Sequence, residues 1–332
     1  MPALNILSAD IGGTKIFLEL TQHQKQACIS VKKQKFSSAS YASFEQILTE
    51  FLPPLHAVDI ACFAVAGPID SCQYRQTAKV TNLPWQLDNT LIQKTFNIPH
   101  IYFINDFQAT AYAIPHLKNQ DIEVLQQGGE KPSGIRAVIG AGTGLGEAIL
   151  IHTSSAYEVI ATEGGHQDFA ATDDLEFQLF QHLQQQYPHV SYERILSGAG
   201  LICIFDFLAN HSHAQQGQMV QDILQSADPA AAISHAANHL QYPIAEQSLH
   251  LFMKIYGAKA GNLALSCLPT AGLYISGGIA AKNLNFLKNS QFLTAFNAKG
   301  RMQPLLAKIP VSIITNQEAG LIGATHYAKS LA

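Results

Sequence analysis

The sequence predicts an α/β protein with two domains and a duplicated core. Apolar runs of strand length alternate with segments of helical spacing, which favours layers of sheet and helix. A β-hairpin with a turn rich in glycine and threonine occurs twice, about 130 residues apart. The chain has 332 residues, and single cores rarely grow beyond about 250–300 residues. Two domains built on a repeated unit are therefore expected.

The first half of the chain contains the first hairpin and its following strands. The expected elements are, in order, strands at 4–9, 15–21 and 27–31, a helix at 41–52, strands at 58–66 and 101–104, and a helix at 107–114. Glycine-rich residues 10–14 form the turn between the first two strands. These elements predict a small domain over 1–115.

The second half repeats the hairpin and then becomes mainly helical. We expect strands at 135–139 and 147–151 around the turn 140–144, helices over much of 205–262, strands at 272–275 and 309–314, and a helix at 319–328. The large domain is predicted at 116–308. The last strand and helix, about 309–332, are assigned to the small domain.

Composition excludes several classes of protein. The apolar share of 47% excludes a disordered chain, and a net charge of −4 argues against binding to nucleic acid or to an anionic membrane. Five scattered cysteines without a Cys-x-x-Cys pair predict a reducing compartment and no structural zinc. No run of about 18 apolar residues predicts a membrane span, and no basic, apolar leader opens the chain. A cytoplasmic location is expected.

The two glycine-rich turns are candidate phosphate-binding loops. The second turn does not match G-x-G-x-x-G in either register, since Leu145 and Glu147 occupy the required positions, and no G-x-x-x-x-G-K-[ST] is present in the chain. Two such turns could hold a phosphate chain by backbone N–H donation, although glycine in a turn is often simple turn chemistry. The candidate residues are Gly12, Gly13 and Thr14 in the first turn and Gly140, Gly142, Thr143 and Gly144 in the second. Asp10 could hold a hydrated Mg²⁺.

The pair Asn105-Asp106 is placed where a predicted strand meets a predicted helix. An ordinary helix N-cap is one interpretation. The alternative is a ligand site, because open α/β sheets bind ligands at strand ends, and a carboxylate there can serve as a general base toward a hydroxyl.

A third candidate group is Glu163-Gly164-Gly165-His166, with Glu193 further along the chain. Carboxylates, amides and imidazoles are the side chains that bind sugar hydroxyls. Taken singly, His166 could equally be a structural histidine and Glu193 a solvated carboxylate.

The order and spacing of these motifs resemble the bacterial glucokinase family, over essentially the whole chain. The matching segments are Asp10 to Thr14, Asn105-Asp106-Phe107, Gly140 to Gly146, Glu163 to His166, Glu193 to Gly198 and Ser276 to Ile279. The resemblance implies a two-domain actin-like ATPase (ribonuclease H-like) fold with an interdomain cleft. It also implies ATP-dependent phosphorylation of glucose with Mg²⁺, at the start of glycolysis, by a homodimer.

The resemblance also assigns roles to single residues. It implies that Asp106 is the catalytic base, that Asn105, Asp106, Glu163, His166 and Glu193 bind the sugar, and that Gly277 and Gly278 contact adenosine, beside the two phosphate loops. It places the loop of Trp85, the only tryptophan, at the rim of the cleft, although its neighbours in sequence are typical of partly buried core.

Two residues depart from the family pattern. Lys15 stands where the family often has Asn, and is expected to be an exposed strand residue. Glu147 follows the second phosphate loop, where a small or apolar residue is more usual. The related repressor/kinase group is disfavoured, because residues 167–187 lack its zinc-binding cysteines.

Two rival functions remain open. A kinase for another hexose or an amino sugar would use similar hydroxyl ligands. A non-catalytic sugar-sensing regulator is less consistent with the sequence, because the first strand starts near residue 4 without a DNA-reading helix-turn-helix before it.

Overall fold

The computed structural model describes residues 3–24, 27–52, 57–129, 131–153, 156–211 and 217–332. The chain divides into two compact units. The first unit comprises Met1–Asp121, Thr153–Ile160 and Asn316–Ala332, and the second comprises Ile122–His152 and Ala161–Thr315.

Strands and helices alternate along the described part of the chain. The strands are β1 (Leu4–Ile11), β2 (Lys15–Gln24), β3 (Ala27–Ser37), β4 (Ile60–Val65), β5 (Ile69–Cys72), β6 (Arg75–Lys79), β7 (Gln86–Asp88), β8 (His100–Asn105), β9 (Ile122–Gln126), β10 (Arg136–Ala141), β11 (Leu145–His152), β12 (Tyr157–Thr162), β13 (Leu273–Ser276) and β14 (Val311–Ile314). The helices are α1 (Phe44–Phe51), α2 (Asn89–Phe96), α3 (Asp106–Ala113), α4 (Asp174–Gln184), α5 (Gly198–His211), α6 (Gln218–Leu224), α7 (Pro229–His239), α8 (Pro243–Cys267), α9 (Gly278–Lys282), α10 (Leu284–Asn289), α11 (Phe292–Asn297), α12 (Gln303–Leu306) and α13 (Ala319–Leu331).

The first unit contains a five-stranded sheet in the order β3-β2-β1-β4-β8. The hairpin β1–β2 is antiparallel, whereas β1, β4 and β8 are parallel neighbours. All six residues of β4 are buried, as expected for a central parallel strand covered on both faces. Strands β5, β6 and β7, which the sequence did not predict, form a separate three-stranded sheet.

The second sheet has the order β12-β11-β10-β13-β14-β9, and all of it except part of β12 lies in the second unit. Its hairpin β10–β11 is antiparallel, and β10, β13 and β14 are parallel neighbours. This repeats the arrangement of the first sheet, so the predicted duplication of the core is confirmed.

One element was assigned to the wrong domain by sequence. The strand expected at 309–314 was placed with the small domain, but β14 pairs in parallel with β13 in the second unit's sheet, with Ile313 opposite Ile275. All four residues of β14 are buried, which fits an interior position in that sheet. The terminal helix α13 belongs to the first unit, as predicted.

Each unit has its own hydrophobic core. In the first unit, α13 packs so closely on α3 that a Cβ on Gly323 would lie 1.7 Å from the carbonyl oxygen of Ala109. Trp85 is 4% exposed and packs in this unit's core, in agreement with the core interpretation. Among the residues described, no helix combines the length and apolar character that crossing a membrane requires.

Candidate active site

The first glycine-rich turn joins β1 to β2. The N–H of Gly12 donates to the carbonyl of Lys15 at 3.1 Å, and the Ser38 hydroxyl donates to the Gly12 carbonyl at 2.9 Å. A Cβ on Gly13 would lie 2.8 Å from the carbonyl oxygen of Thr81, so this position needs glycine. Thr14 and Lys15 are exposed, so the threonine hydroxyl is accessible and Lys15 is the exposed strand residue that the sequence predicted.

Asn105 and Asp106 lie where β8 ends and α3 begins, as predicted. The Asn105 side chain accepts from the N–H of Phe107 at 2.8 Å, and the Asn105 N–H donates to Gln108 Oε1 at 2.9 Å. This reciprocal pair of hydrogen bonds is a capping box, so the N-cap interpretation is confirmed for Asn105. Asp106 is the first helical residue, and its carboxylate accepts from the N–H of Phe107 at 3.0 Å. The strand end therefore holds a carboxylate at a helix N-terminus, where an anion is favoured.

Asp10 and Asp106 form an acidic pair in the first unit. Burial, and then the negative charge of Asp106, raise the pKa of Asp10 to about 7. Burial raises the pKa of Asp106 to about 6, against the opposing effect of hydrogen bonds from Phe107 and Asn105. Within the described residues, no cation contributes to either shift. Perturbed carboxylates of this kind are typical of functional sites.

The acidic pair fits a hydrated divalent cation. The Asp10 carboxylate packs against the first turn of α13, where a Cβ on Gly320 would lie 2.5 Å from Asp10 Oδ2. No group of three or more metal-ligating side chains occurs among the residues that the structure describes. Mg²⁺ commonly uses only one or two carboxylates, together with water and substrate phosphates. The desolvated Asp10 carboxylate, which has a second carboxylate and no cation among the causes of its shifted pKa, suits that mode of binding.

The second glycine-rich turn joins β10 to β11. The N–H of Gly142 donates to the carbonyl of Gly144 at 2.8 Å, and the N–H of Gly198 donates to the carbonyl of Gly142 at 2.9 Å. Gly140 is the buried penultimate residue of β10, and Thr143 is exposed at the tip. The second turn is therefore held by backbone contacts that leave its threonine accessible.

The segment of Gly277 and Gly278 packs on the same turn. Gly277 has a φ of +92°, and a Cβ there would lie 2.4 Å from the carbonyl oxygen of Ala141. Only glycine can make this approach at this backbone angle. Gly278 is exposed and begins α9. The structure thus brings the predicted adenosine-contacting pair to the second turn.

The three predicted sugar ligands of the second unit lie together. His166 Nε2 is 3.9 Å from Glu163 Oε2, and His166 Nδ1 is 4.0 Å from Glu193 Oε1. Glu193 Oε2 accepts from the N–H of Leu145 at 3.0 Å, which attaches this carboxylate to the second turn. The side chains are 92% (Glu163), 58% (His166) and 32% (Glu193) exposed, so hydrogen-bonding capacity remains for a ligand.

Sequence reasoning missed one polar feature beneath these ligands. Glu147 and Lys259 are both almost fully buried, and Glu147 Oε1 lies 2.8 Å from Lys259 Nζ. Glu147 was noted only as unusual, and Lys259 was not noted at all. The available signal was a lysine inside the long, otherwise mostly apolar helix α8, since a buried lysine needs a partner.

Comparisons with known proteins identify the family and the fold. The family model described as "Glucokinase" matches residues 7–331. The glucokinase of Nostoc punctiforme is 43% identical over 342 residues, covering 98% of this chain and 99% of that protein. The crystal structure of a glucokinase from an Antarctic psychrotroph has a TM-score of 0.84 at 32% identity, covering 98% of this chain and 99% of that one.

A more distant structure supports the fold. A ROK family glucokinase from Streptomyces griseus, solved with glucose and AMPPNP, has a TM-score of 0.66 at 20% identity, covering 98% of this chain and 99% of that one. The predicted fold class, a mixed α/β protein of the actin-like ATPase fold, is confirmed. A family model over nearly the whole chain and a full-length relative at 43% identity together show that this chain belongs to the glucokinase family.

Proposed function

We propose that the chain transfers the γ-phosphoryl group of ATP to the 6-hydroxyl of glucose, with Asp106 as the general base. The observation that carries this proposal is the Asp106 carboxylate, placed at a strand end with a pKa raised to about 6. Such a carboxylate is largely ionised at neutral pH and still basic enough to accept a hydroxyl proton. Membership of the glucokinase family supports the reaction class.

The remaining residues would bind and orient the substrates. In this proposal the sugar hydroxyls bind Asn105, Asp106, Glu163, His166 and Glu193. The turns 12–14 and 140–144 would donate backbone N–H groups and the hydroxyls of Thr14 and Thr143 to the phosphates. Phosphoryl transfer depends mainly on such positioning and on electrostatic stabilisation.

Nucleotide and metal binding follow from the same proposal. The Streptomyces griseus relative is described with AMPPNP and glucose, which supports ATP and glucose as substrates here. Gly277 and Gly278 would contact the adenosine. When bound, Mg²⁺ would offset the charge of the phosphates, and Asp10 would hold it through water. A homodimer remains a prediction of the family resemblance, and a cytoplasmic location remains a prediction from the sequence.

The test is an assay of ADP release with a panel of sugars. The purified chain is mixed with MgATP and glucose, mannose, fructose, glucosamine or N-acetylglucosamine, and ADP is measured by a coupled reaction. We expect the highest kcat/KM with glucose, and no release without sugar or with excess EDTA. A clear preference for another sugar would support the rival kinase. Sugar binding measured by calorimetry without ADP release from any sugar would support the rival regulator.

A further inference from the structure

We propose that the buried Glu147–Lys259 ion pair is a positioning device for the sugar site, setting the arrangement of Glu163, His166 and Glu193. The inference deepens the proposed function and rests on it. Neither residue is placed to touch a substrate, since both side chains are at most 2% exposed. Their effect would pass through the segments that carry the ligands.

The first contact of the pair is with the glycines of the Glu163–His166 segment. Glu147 is in β11, and a Cβ on Gly164 would lie 2.1 Å from Glu147 Oε2. A Cβ on Gly165 would likewise lie 2.1 Å from the carbonyl oxygen of Leu145, two residues before Glu147. The segment between the two ligands Glu163 and His166 therefore lies directly on β11 and on the Glu147 carboxylate.

The second contact is through the lysine. Lys259 Nζ donates to Gln167 Oε1 at 2.8 Å, and Gln167 is the residue after His166. The N–H of Gln167 donates to the carbonyl of Gly164 at 3.2 Å, which closes the 3-10 turn over Gly164–His166. One ammonium group thus binds the end of the turn whose first residues contact Glu147.

The third contact reaches the Glu193 segment. Lys259 Nζ lies 5.2 Å from the centre of the Tyr192 ring, over its face, and Tyr192 is buried beside Glu193. The N–H of Tyr192 donates to the carbonyl of Gln167 at 3.0 Å, and the Asn262 amide donates to the Tyr192 hydroxyl at 3.0 Å. The same ammonium therefore touches both segments that flank the ligands.

Charge opposes rearrangement of these contacts. The Lys259 ammonium has three protons, so it can bind the Glu147 carboxylate at 2.8 Å and Gln167 Oε1 at 2.8 Å while it lies over the Tyr192 ring. A buried ammonium cannot move toward water without leaving the carboxylate unpaired. Replacing both charges by apolar groups removes this constraint without creating an unpaired charge.

The test separates positioning from stability. In the double variant Glu147→Met/Lys259→Met, we expect a melting temperature near that of the wild type, because apolar replacement of a whole buried pair is often neutral. We expect the KM for glucose and its calorimetric Kd to rise about 10-fold, while the KM for ATP changes less than twofold. Gln167→Met, at an exposed residue, should raise the KM for glucose about threefold.

A second ion pair in the same unit is the control. Lys254, also in α8 and 20% exposed, lies 2.9 Å from Glu176, which is 1% exposed, and it is also paired with Asp173. None of these residues is a proposed sugar ligand. Glu176→Met/Lys254→Met should leave the KM for glucose unchanged. Lys259→Arg keeps the charge and should lose less glucose affinity than Lys259→Met.

The outcomes distinguish the two proposals. If the wild type uses glucose and the folded double variant keeps its KM for glucose, the positioning role is wrong and the proposed function stands. Equal rises in both KM values would also overturn the positioning role. If the double variant does not fold, Gln167→Met decides, and an unchanged KM for glucose overturns the inference. If the wild type fails to release ADP with every sugar of the panel, the proposed function is wrong, and the inference with it.

Discussion

The two β-hairpin units share a strand arrangement, but their carboxylates differ in whether a cationic side chain accompanies them. In the first unit, desolvation raises the pKa of Asp10 and of Asp106, and no cation among the described residues opposes either shift. In the second unit, burial also raises the pKa of Glu147, but Lys259 lies 2.8 Å away and opposes that rise. The carboxylates of the first unit therefore have no cationic partner among the described residues, whereas Glu147 is paired with a buried lysine.

The physical reason for the difference lies in what each group has to do. An uncompensated carboxylate destabilises the fold, and is retained where a proton or a cation must be accepted. A carboxylate paired with a buried lysine is not free to bind another cation, but it can hold the segments around it. If both proposals are correct, one copy of the duplicated framework supplies the general base and the other positions the sugar ligands, and substitutions in each copy can test this division.

The largest effect is expected from Asp106→Asn. Removing a positioned general base should lower kcat at least about 100-fold while glucose binding by calorimetry is retained. In the wild type, kcat should fall as the pH drops through about 6, because Asp106 becomes protonated. The variant should lack this dependence.

Asp70→Asn is the control for this substitution, since Asp70 is an exposed carboxylate of the same unit. It should keep the activity and pH profile of the wild type. A folded Asp106→Asn enzyme with near wild-type turnover would show that the acidic pair of the first unit is not the source of the base.

The next effect concerns the exposed ligands of the second unit. Glu163→Gln and His166→Ala should each raise the KM for glucose much more than the KM for ATP, because each removes a hydrogen bond worth about 1–3 kcal/mol, roughly 5- to 150-fold. Steady-state kinetics with each substrate varied in turn measures this. Asp222→Asn, an exposed carboxylate of α6, should change neither value. Equal effects on both substrates would remove the two residues from the sugar site.

The sequence predicted the parts of this design that depend on local pattern. The hairpins, the strand end at Asn105-Asp106 and the glycine turns were recognisable because turn chemistry and apolar spacing are local. The position of β14 in the second sheet could not be recognised from the sequence, because tertiary contacts decide which strand a short buried strand pairs with. The sequence could indicate that Lys259 needs a buried partner, but not that the partner is Glu147, since the two residues are 112 positions apart and neither stands in a motif.

A moderate effect is expected on stability from Asp10→Asn. The pKa of Asp10 is higher in the folded state, about 7 against 3.8, so the folded state binds more protons and loses stability as the pH rises from about 4 to about 7. Asparagine removes the cost of burying the charge. The variant should therefore be stabilised more at pH 8 than at pH 5, by at most about 3 kcal/mol.

Urea unfolding followed by Trp85 fluorescence measures this, because Trp85 lies in the core of the same unit. Activity should fall in the same variant, since Asp10 is proposed to hold the hydrated Mg²⁺. Asp70→Asn should show the same small effect at both pH values. A stabilisation that is equal at pH 5 and pH 8 would mean that Asp10 carries no buried charge.

The smallest effect is expected for Trp85 when sugar binds. The indole is 4% exposed and packs in the first unit's core, and the Trp85 carbonyl accepts from the N–H of Val80 at 3.2 Å. Tryptophan emission responds mainly to the polarity around the ring, and a ring packed in the core is shielded from a sugar bound at Asp106 and at the second-unit ligands. Saturating glucose should therefore leave the emission maximum and acrylamide quenching unaltered, with binding confirmed by calorimetry on the same sample. A spectral shift on binding would show that the core around Trp85 responds to sugar in spite of its burial.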